Sequence, residues 1–330
     1  MYVENQITMV RSHVQNVQDY LPGFIRFFVN LWYQNPKVSK DLYRRRNEYL
    51  TRYADYTLAN LNSGNPNMKN SLMYYYYTEA KDTVTPSQVG SVCLTMVSAG
   101  LDNAPLNFQY MVMQLTQSPH IVTKAYHEIL KCYNHDVTKA WNECHLELKC
   151  AYISAIVKET LRLFTVLPMA LPRQTTKEIV YQNAVIPKET TIFLNCWAGN
   201  HDEKKFIKPM EFIPERFMDL NHECDFDDLN HHENFEYDGG KLDQSVKHLA
   251  FGIGSRMCLG NTLAFKELYV LTCKFLLMFE PLDIETPGLD GQLNPLKLNK
   301  FPESIAIEPK EAVIKLKVKN LQLLAALDGA

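Results

Sequence analysis

The chain has 330 residues, with 34 Lys and Arg against 37 Asp and Glu and a formal net charge of -3. That balance gives no global attraction to nucleic acid, and a content of 46% hydrophobic and 11% aromatic residues excludes a broadly disordered chain. The eight cysteines (Cys93, Cys132, Cys144, Cys150, Cys196, Cys224, Cys258 and Cys273) are scattered with no close C-x-x-C pair, which argues against a disulfide framework or a structural zinc site and for a reducing compartment.

No secretory signal opens at Met1, and the apolar run Leu21 to Tyr33 is broken by Arg26 and Asn30. A spanning helix needs about 20 predominantly apolar residues, so this run reads as amphipathic, for core packing or for resting on a membrane surface. Pro22-Gly23 and Asn35-Pro36 mark breaks. Asp41 to Leu61 contains neither Pro nor Gly and predicts a long helix, with Arg44, Arg45 and Arg46 on its solvated face. Ser63-Gly64-Asn65-Pro66 ends it. The four tyrosines Tyr74 to Tyr77 read as helix packing. Thr85-Pro86 combines a capping residue with Pro at the first helical position and starts a helix from Ser87 to about Leu115. The apolar middle of that helix, Leu94 to Ala99, suits passage through the centre of a domain, and Pro105 predicts a local distortion. Two more helices are predicted, over His120–Tyr133 and Leu146–Phe164.

The character changes at Pro168. Short strands and turns are predicted around Thr175-Thr176, Ile179 to Tyr181, Ala184 to Ile186 and Thr190 to Leu194. Asn221 to Asp243, dense in Asn, His, Asp and Glu, reads as a surface loop, and its His222, Cys224, His231 and His232 lack the spacing of a closed metal site. Leu259 to Phe279 is apolar and helical, and Val313 to Leu324 predicts a strand followed by a short helix. With no repeat and no linker, residues 1–330 read as a single domain of mainly α class with small β-sheets. Its parts are a helix-rich 1–165, strands and meander over 166–250, a cysteine loop with its following helix over 251–280, and a C-terminal β region over 281–330.

The chemistry is concentrated in Phe251-Gly252-Ile253-Gly254-Ser255-Arg256-Met257-Cys258-Leu259-Gly260. Two glycines at alternate positions permit a tight turn. The cysteine follows, directly ahead of an apolar helix, where backbone N–H groups and the positive end of the helix dipole favour thiolate over thiol. Arg256 adds positive charge, and Gly260 removes a side chain where a flat ligand would press. Glu159-Thr160-Leu161-Arg162 places an acid and a guanidinium three apart on one helix face. Pro214-Glu215-Arg216-Phe217 follows downstream.

Together, F-x-x-G-x-R-x-C-x-G, E-x-x-R and P-E-R-F, in this order, resemble the cytochrome P-450 family. The resemblance implies the C-terminal portion of that fold and a haem b cofactor whose iron is ligated by Cys258. Phe251, Gly252, Gly254, Arg256 and Gly260 would shape the cofactor loop. Glu159, Arg162 and Arg216 would form a buried structural network, and Arg173 and Arg256 would reach the haem propionates. Ala99-Gly100-Leu101-Asp102-Asn103 is similar to the family's oxygen-side helix, which makes Gly100, Asp102 and Asn103 the catalytic candidates. The family's usual Thr is here Asn103, and an amide is not a proton relay like a hydroxyl, so altered coupling is expected.

Ser91 to Asp102, Leu171 to Arg173, Ala184 to Pro187 and Gly254 to Cys258 are similar to fungal phenylacetate and 3-hydroxyphenylacetate hydroxylases. That likeness implies hydroxylation of a small aromatic acid, with electrons from NADPH through a reductase, assisted in some systems by cytochrome b5. By position, Val97, Leu101, Val166, Leu167 and Met169 are candidate substrate contacts. The alternatives are an N-formyltyrosine-coupling spore-wall oxidase of the same fold, a haem-thiolate isomerase or peroxygenase, and a non-catalytic fragment. Members of the family extend further toward the N-terminus and carry an endoplasmic reticulum membrane anchor there, which makes this chain an N-terminally truncated one.

Overall fold

The computed structural model describes residues 25, 36–80, 83–218, 248–285, 293–302 and 304–328. The amphipathic run Leu21 to Tyr33 lies almost wholly outside these, as do the polar loop Asn221 to Asp243 and its His222, Cys224, His231 and His232. The chain forms two compact units, residues 1–102 and 103–330.

In the first unit, helix α1 spans Pro36–Asn62. It begins at Pro36, whose missing N–H is no loss in a first turn. Arg44 pairs with Asp41 (2.7 Å) and Glu48 (2.9 Å) on an exposed face. The helix stops where expected, and Gly64 adopts φ 73°. A 3-10 turn over Pro66–Asn70 and the one-turn helix α2, Leu72–Tyr75, follow. Of the tyrosine run, Tyr76 alone is buried and meets Tyr77 edge to face, centroids 4.9 Å apart, while Tyr75 is 53% exposed.

Helix α3, Pro86–Thr116, carries a capping box. The Thr85 N–H donates to Gln88 Oε1 (2.8 Å) and the Gln88 N–H to Thr85 Oγ1 (3.3 Å), satisfying two donors that a helix start otherwise leaves unpaired. The helix continues through Pro105. Its apolar middle is not buried as the sequence predicts: Met96 is 62% and Val97 56% exposed. Burial depends on what packs against a segment, and hydropathy alone does not supply the partner.

The second unit is a helical core. Helices α4 (Pro119–Cys132), α5 (Val137–Glu143), α6 (Ala151–Phe164) and α8 (Asn261–Met278) pack Ile129, Ile153, Ile156, Phe265, Tyr269 and Leu276 together. Between α6 and α8 lies the short helix α7, Cys196–Asn200. The short α5 is not predicted by the sequence, and α6 starts five residues later than expected. The reason is tertiary. Glu128, on α4, accepts the Tyr152 N–H at 3.0 and 2.9 Å, and the Tyr269 hydroxyl accepts the Cys150 N–H at 2.8 Å. A carboxylate from another helix thus caps α6 where its own N-cap residue, Cys150, makes no side-chain bond. Glu128→Ala should therefore lower stability by about 1–2 kcal/mol, read as a shifted urea midpoint with unchanged slope; an unshifted midpoint would remove this capping role.

Among the described residues, three two-stranded antiparallel sheets accompany the helices. Strand β1 (Arg173–Gln174) pairs with β4 (Thr191–Ile192), β2 (Ile179–Tyr181) with β3 (Ala184–Ile186), and β5 (Phe279–Glu285) with β6 (Val313–Val318). The last helix, α9, spans Leu321–Asp328 and buries Leu323 in the core. The structure is mainly α with small sheets, as expected. β5 takes Phe279, the residue at which the sequence ended the preceding helix, because β6 offers it a partner strand. Among the described residues no helix is long and apolar enough to cross a membrane.

Candidate active site

Helix α6 brings Glu159 and Arg162 to a fully buried position, both 0% exposed. The two side chains form a fork-to-fork pair: Arg162 Nε donates to Glu159 Oε2 (2.7 Å) and Nη2 to Oε1 (2.8 Å). Two buried charges are costly unless every donor and lone pair is used, and here they are widely engaged. Arg162 Nη1 donates to the carbonyls of Asn200 and Pro209, both at 2.8 Å, and Nη2 to that of Glu211 at 3.3 Å. Glu159 Oε1 also accepts the Ile213 N–H (2.9 Å) and Arg216 Nε (3.2 Å). Arg216, from the 3-10 turn Pro214–Phe217, further donates to the carbonyls of Ile207 and Lys208. One carboxylate between two guanidinium groups therefore ties an irregular stretch, residues 207–216, to the core helix. Phe206 adds its ring face 5.0 Å from the Arg162 guanidinium.

Helix α6 ends at Thr165, which takes a left-handed φ of 43°. A β-branched residue resists that conformation. Its Oγ1 is held on both sides, donating to Arg162 O (2.6 Å) and accepting from Asn200 Nδ2 (2.8 Å). Asn200 Oδ1 in turn accepts the Leu249 N–H at 2.6 Å. The chain from 249 then winds into the cysteine turn. The Gly252 N–H donates to Leu249 O (2.9 Å), Met257 N–H to Gly254 O (2.9 Å) and Cys258 N–H to Phe251 O (2.8 Å).

The two glycines serve as the sequence implies: Gly252 has φ 73° and Gly254 φ 68°, a region closed to most side chains. Gly260 has ordinary torsions, and a Cβ there would lie 3.9 Å from the Cys258 sulfur, in ordinary van der Waals contact. Cys258 itself is exposed, unlike the buried Cys144, Cys150, Cys196 and Cys273. It stands just ahead of the 18-residue α8, beside the fully exposed Leu259 and the 73% exposed Leu263. Arg173 reaches across from β1: its Nη1 donates to Ile253 O (3.1 Å) and its Nη2 to Arg256 O (3.4 Å). Arg173 therefore braces the turn through two of its carbonyls, a contact that sequence spacing does not reveal.

His248 immediately precedes this turn, with Phe217 and Phe251 6.2 and 5.8 Å from its ring centroid. Burial, with Lys158 and Arg162 adding positive charge nearby, lowers its pKa from 6.5 to about 3. The neutral ring accepts the Ala250 N–H at 3.3 Å. A depressed folded-state pKa contributes stability that is present above the unfolded value and lost as pH falls. The chain should therefore lose stability between pH 6.5 and about 3, and His248→Asn should flatten that part of the urea-midpoint profile. An identical profile in the variant would exclude His248 as a source of the loss.

Gly100, Asp102 and Asn103 lie on α3. A Cβ added at Gly100 would meet nothing within 4 Å, Asp102 and Asn103 are half-buried, and Asn103 O accepts Asn107 Nδ2 at 2.7 Å. Of the candidate substrate contacts, Val166 is buried in a second core cluster with Tyr110, Phe164 and Leu293, so core packing explains it. Met169 and Leu101 are exposed and Leu167 is half-buried. Asn200, Thr165 and Leu249 carry no signal in the sequence, because each acts through a carbonyl, hydroxyl or amide brought close only by folding.

Among the described residues no group of three His, Cys, Asp or Glu side chains is arranged to hold a metal ion. The donor set at the turn is one exposed sulfur beside bare apolar side chains, with no side chain on Gly260 to cover it. A single sulfur fits a metal whose other ligands come from its own macrocycle, and the bare leucines fit a flat apolar ring.

The family model described as cytochrome P450 matches residues 2–315. The chain is 32% identical over 323 residues to the phenylacetate 2-hydroxylase of Emericella nidulans, covering 96% of this chain and 56% of that protein. It is 32% identical over 326 residues to the 3-hydroxyphenylacetate 6-hydroxylase of the same organism, covering 98% and 57%. It is also 32% identical over 306 residues to the cytochrome P450 monooxygenase CYP3 of Mycosarcoma maydis, covering 92% and 52%. The chain thus spans just over half the length of these curated relatives.

Proposed function

Because this chain belongs to the cytochrome P450 family, we propose that it acts as a haem-thiolate monooxygenase with Cys258 as the iron ligand. The observation that carries this reading is the cysteine turn: one exposed sulfur, released by Gly252 and Gly254, placed at the start of an apolar helix with Gly260 leaving its approach open. A bound haem supplies dioxygen activation, which thiolate ligation favours by donating electron density. The protein's share is to hold the sulfur and orient the ring. Phe251, Gly252, Gly254, Arg256 and Gly260 form the loop. Arg173 and Arg256 present guanidinium groups suited to carboxylates, and the Glu159–Arg162–Arg216 network braces the meander. In this reading residues 1–330 act as part of one domain, and Gly100, Asp102 and Asn103 belong to the oxygen side.

The substrate proposed is a small aromatic acid of the phenylacetate type, supported by the two hydroxylases at 32% identity. Electrons would come from NADPH through a membrane-bound reductase, with the endoplasmic reticulum as the place of action. The test is direct. Purified protein loaded with haem, reduced and exposed to carbon monoxide, should show the red-shifted band of thiolate ligation. With reductase, NADPH and phenylacetate it should then release a ring-hydroxylated product carrying one labelled atom from dioxygen. Failure to take up haem would overturn the reading in favour of a non-catalytic fragment. Turnover on hydrogen peroxide alone, with none through reductase, would replace it with a peroxygenase.

Asn103 stands where the family's hydroxyl donor usually lies. An amide can donate a hydrogen bond but cannot pass a proton on as a hydroxyl does. Asn103→Thr should raise product formed per NADPH consumed and lower hydrogen peroxide release. If both quantities match the unmodified protein, Asn103 has no part in coupling.

A further inference from the structure

We propose that Gly199 and Asn200 are positioning residues that fix the Cys258 sulfur, by anchoring the chain where it enters the cysteine turn. The proposal rests on the reading of Cys258 as iron ligand. Its physical basis is a run of contacts independent of the motif itself. Asn200 is 0% exposed, and its carboxamide is used at both ends. Nδ2 donates to Thr165 Oγ1 (2.8 Å), the left-handed cap of α6, while Oδ1 accepts the Leu249 N–H (2.6 Å). Its backbone carbonyl accepts Arg162 Nη1 at 2.8 Å. One residue therefore joins the end of the core helix, the buried ion pair and the first residue of the turn.

Gly199 leaves room for the Leu249 side chain beside that join. A Cβ at Gly199 would lie 2.4 Å from Leu249 Cδ1, so the Leu249 side chain occupies the space a larger residue would fill. From Leu249 the constraint passes along the chain by two steps. Leu249 O accepts the Gly252 N–H at 2.9 Å, and Phe251 O accepts the Cys258 N–H at 2.8 Å. The far side of the turn is held by Arg173 through the carbonyls of Ile253 and Arg256. The sulfur is exposed and has no packing of its own to fix it, so its place is set by these two anchors. Nothing in the sequence links residues 199–200 to 249–258; they are joined only in the folded chain.

The full chain is compared with Asn200→Ala and with Gly199→Ala, which leaves every hydrogen-bonding group in place and only displaces Leu249. In the haem-free protein, amide hydrogen exchange of residues 249–258 should accelerate about tenfold in Asn200→Ala, the factor that one lost hydrogen bond of about 1.4 kcal/mol corresponds to, and by a smaller factor in Gly199→Ala, where only the Leu249 side chain must shift. The amides of α6 and α8 should keep their protection. In the haem-loaded protein, part of the reduced carbon monoxide complex should move from the thiolate band to the band of a haem that has lost its thiolate. Unchanged exchange over 249–258, or equal acceleration throughout both helices, would overturn the anchoring. A loosened turn with an undiminished thiolate band would overturn its link to the sulfur. If Cys258→Ser keeps the unmodified spectrum, the ligand assignment is what fails, and the exchange result still decides the anchoring by itself.

Discussion

Arg162→Met is expected to destabilise the chain by about 3–5 kcal/mol, the range for removing one partner of a buried ion pair. Few single substitutions elsewhere should cost as much. The variant strands Glu159, fully buried and left with the Ile213 N–H and a 3.2 Å bond from Arg216. It also removes the donor from three carbonyls, those of Asn200, Pro209 and Glu211. Methionine fills much of the volume, so the loss reflects charge and hydrogen bonding more than a cavity. With total domain stabilities of about 5–15 kcal/mol, this is a large share of the whole. Urea unfolding followed by far-UV circular dichroism measures it. The double variant Glu159→Leu/Arg162→Met supplies the control: with no charge left buried, it should recover part of the loss. A single variant within about 0.5 kcal/mol of the unmodified chain would show that the network does not brace the fold. Arg162→Lys should also fail to restore stability. An ammonium is a compact point charge and cannot reproduce a planar fork that meets Glu159 on one edge and three carbonyls on the others.

Cys258→Ser should abolish the thiolate signature of the reduced carbon monoxide complex while changing folding stability by no more than about 0.5 kcal/mol, as for an exposed substitution. The two readouts separate chemistry from folding. The Cys258 side chain is exposed and outside both core clusters, so its loss leaves the packing intact. Its backbone N–H bond to Phe251 O does not depend on the sulfur. A hydroxyl in that place is a poor ligand to haem iron. An unchanged spectrum in the variant would require another ligand and would remove the basis for assigning the chain a haem-thiolate activity.

The three residues Glu159, Arg162 and Arg216 were legible as a network because each belongs to a short local pattern. Two of them, Glu159 and Arg162, sit three apart on α6, and helical geometry alone places them side by side. The turn at 252–254 was legible for a similar reason, since positive φ at those positions needs glycine. Helix α1, the start of α3 at its capping box and the pair β2–β3 were also readable, because breakers, caps and apolar periodicity act within a few residues.

What failed to be legible involved partners distant in sequence. The start of α6 was set five residues late by Glu128 and Tyr269, the latter 119 residues from the amide it accepts. Arg173 was assigned to a propionate by resemblance, and its bonds to Ile253 and Arg256 across 80 and 83 residues emerged only on folding. The apolar middle of α3 looked like core, yet Met96 and Val97 are exposed.

The family and the glycines that let the chain turn at 252–254 were readable from the residues alone, because short spacing and torsional freedom are local properties of the polymer. The anchors proposed for that turn, Asn200, Gly199 and Arg173, meet it only through folding, since a hydrogen bond forms between groups a few ångströms apart in space and chain separation gives no hint of which pairs will meet.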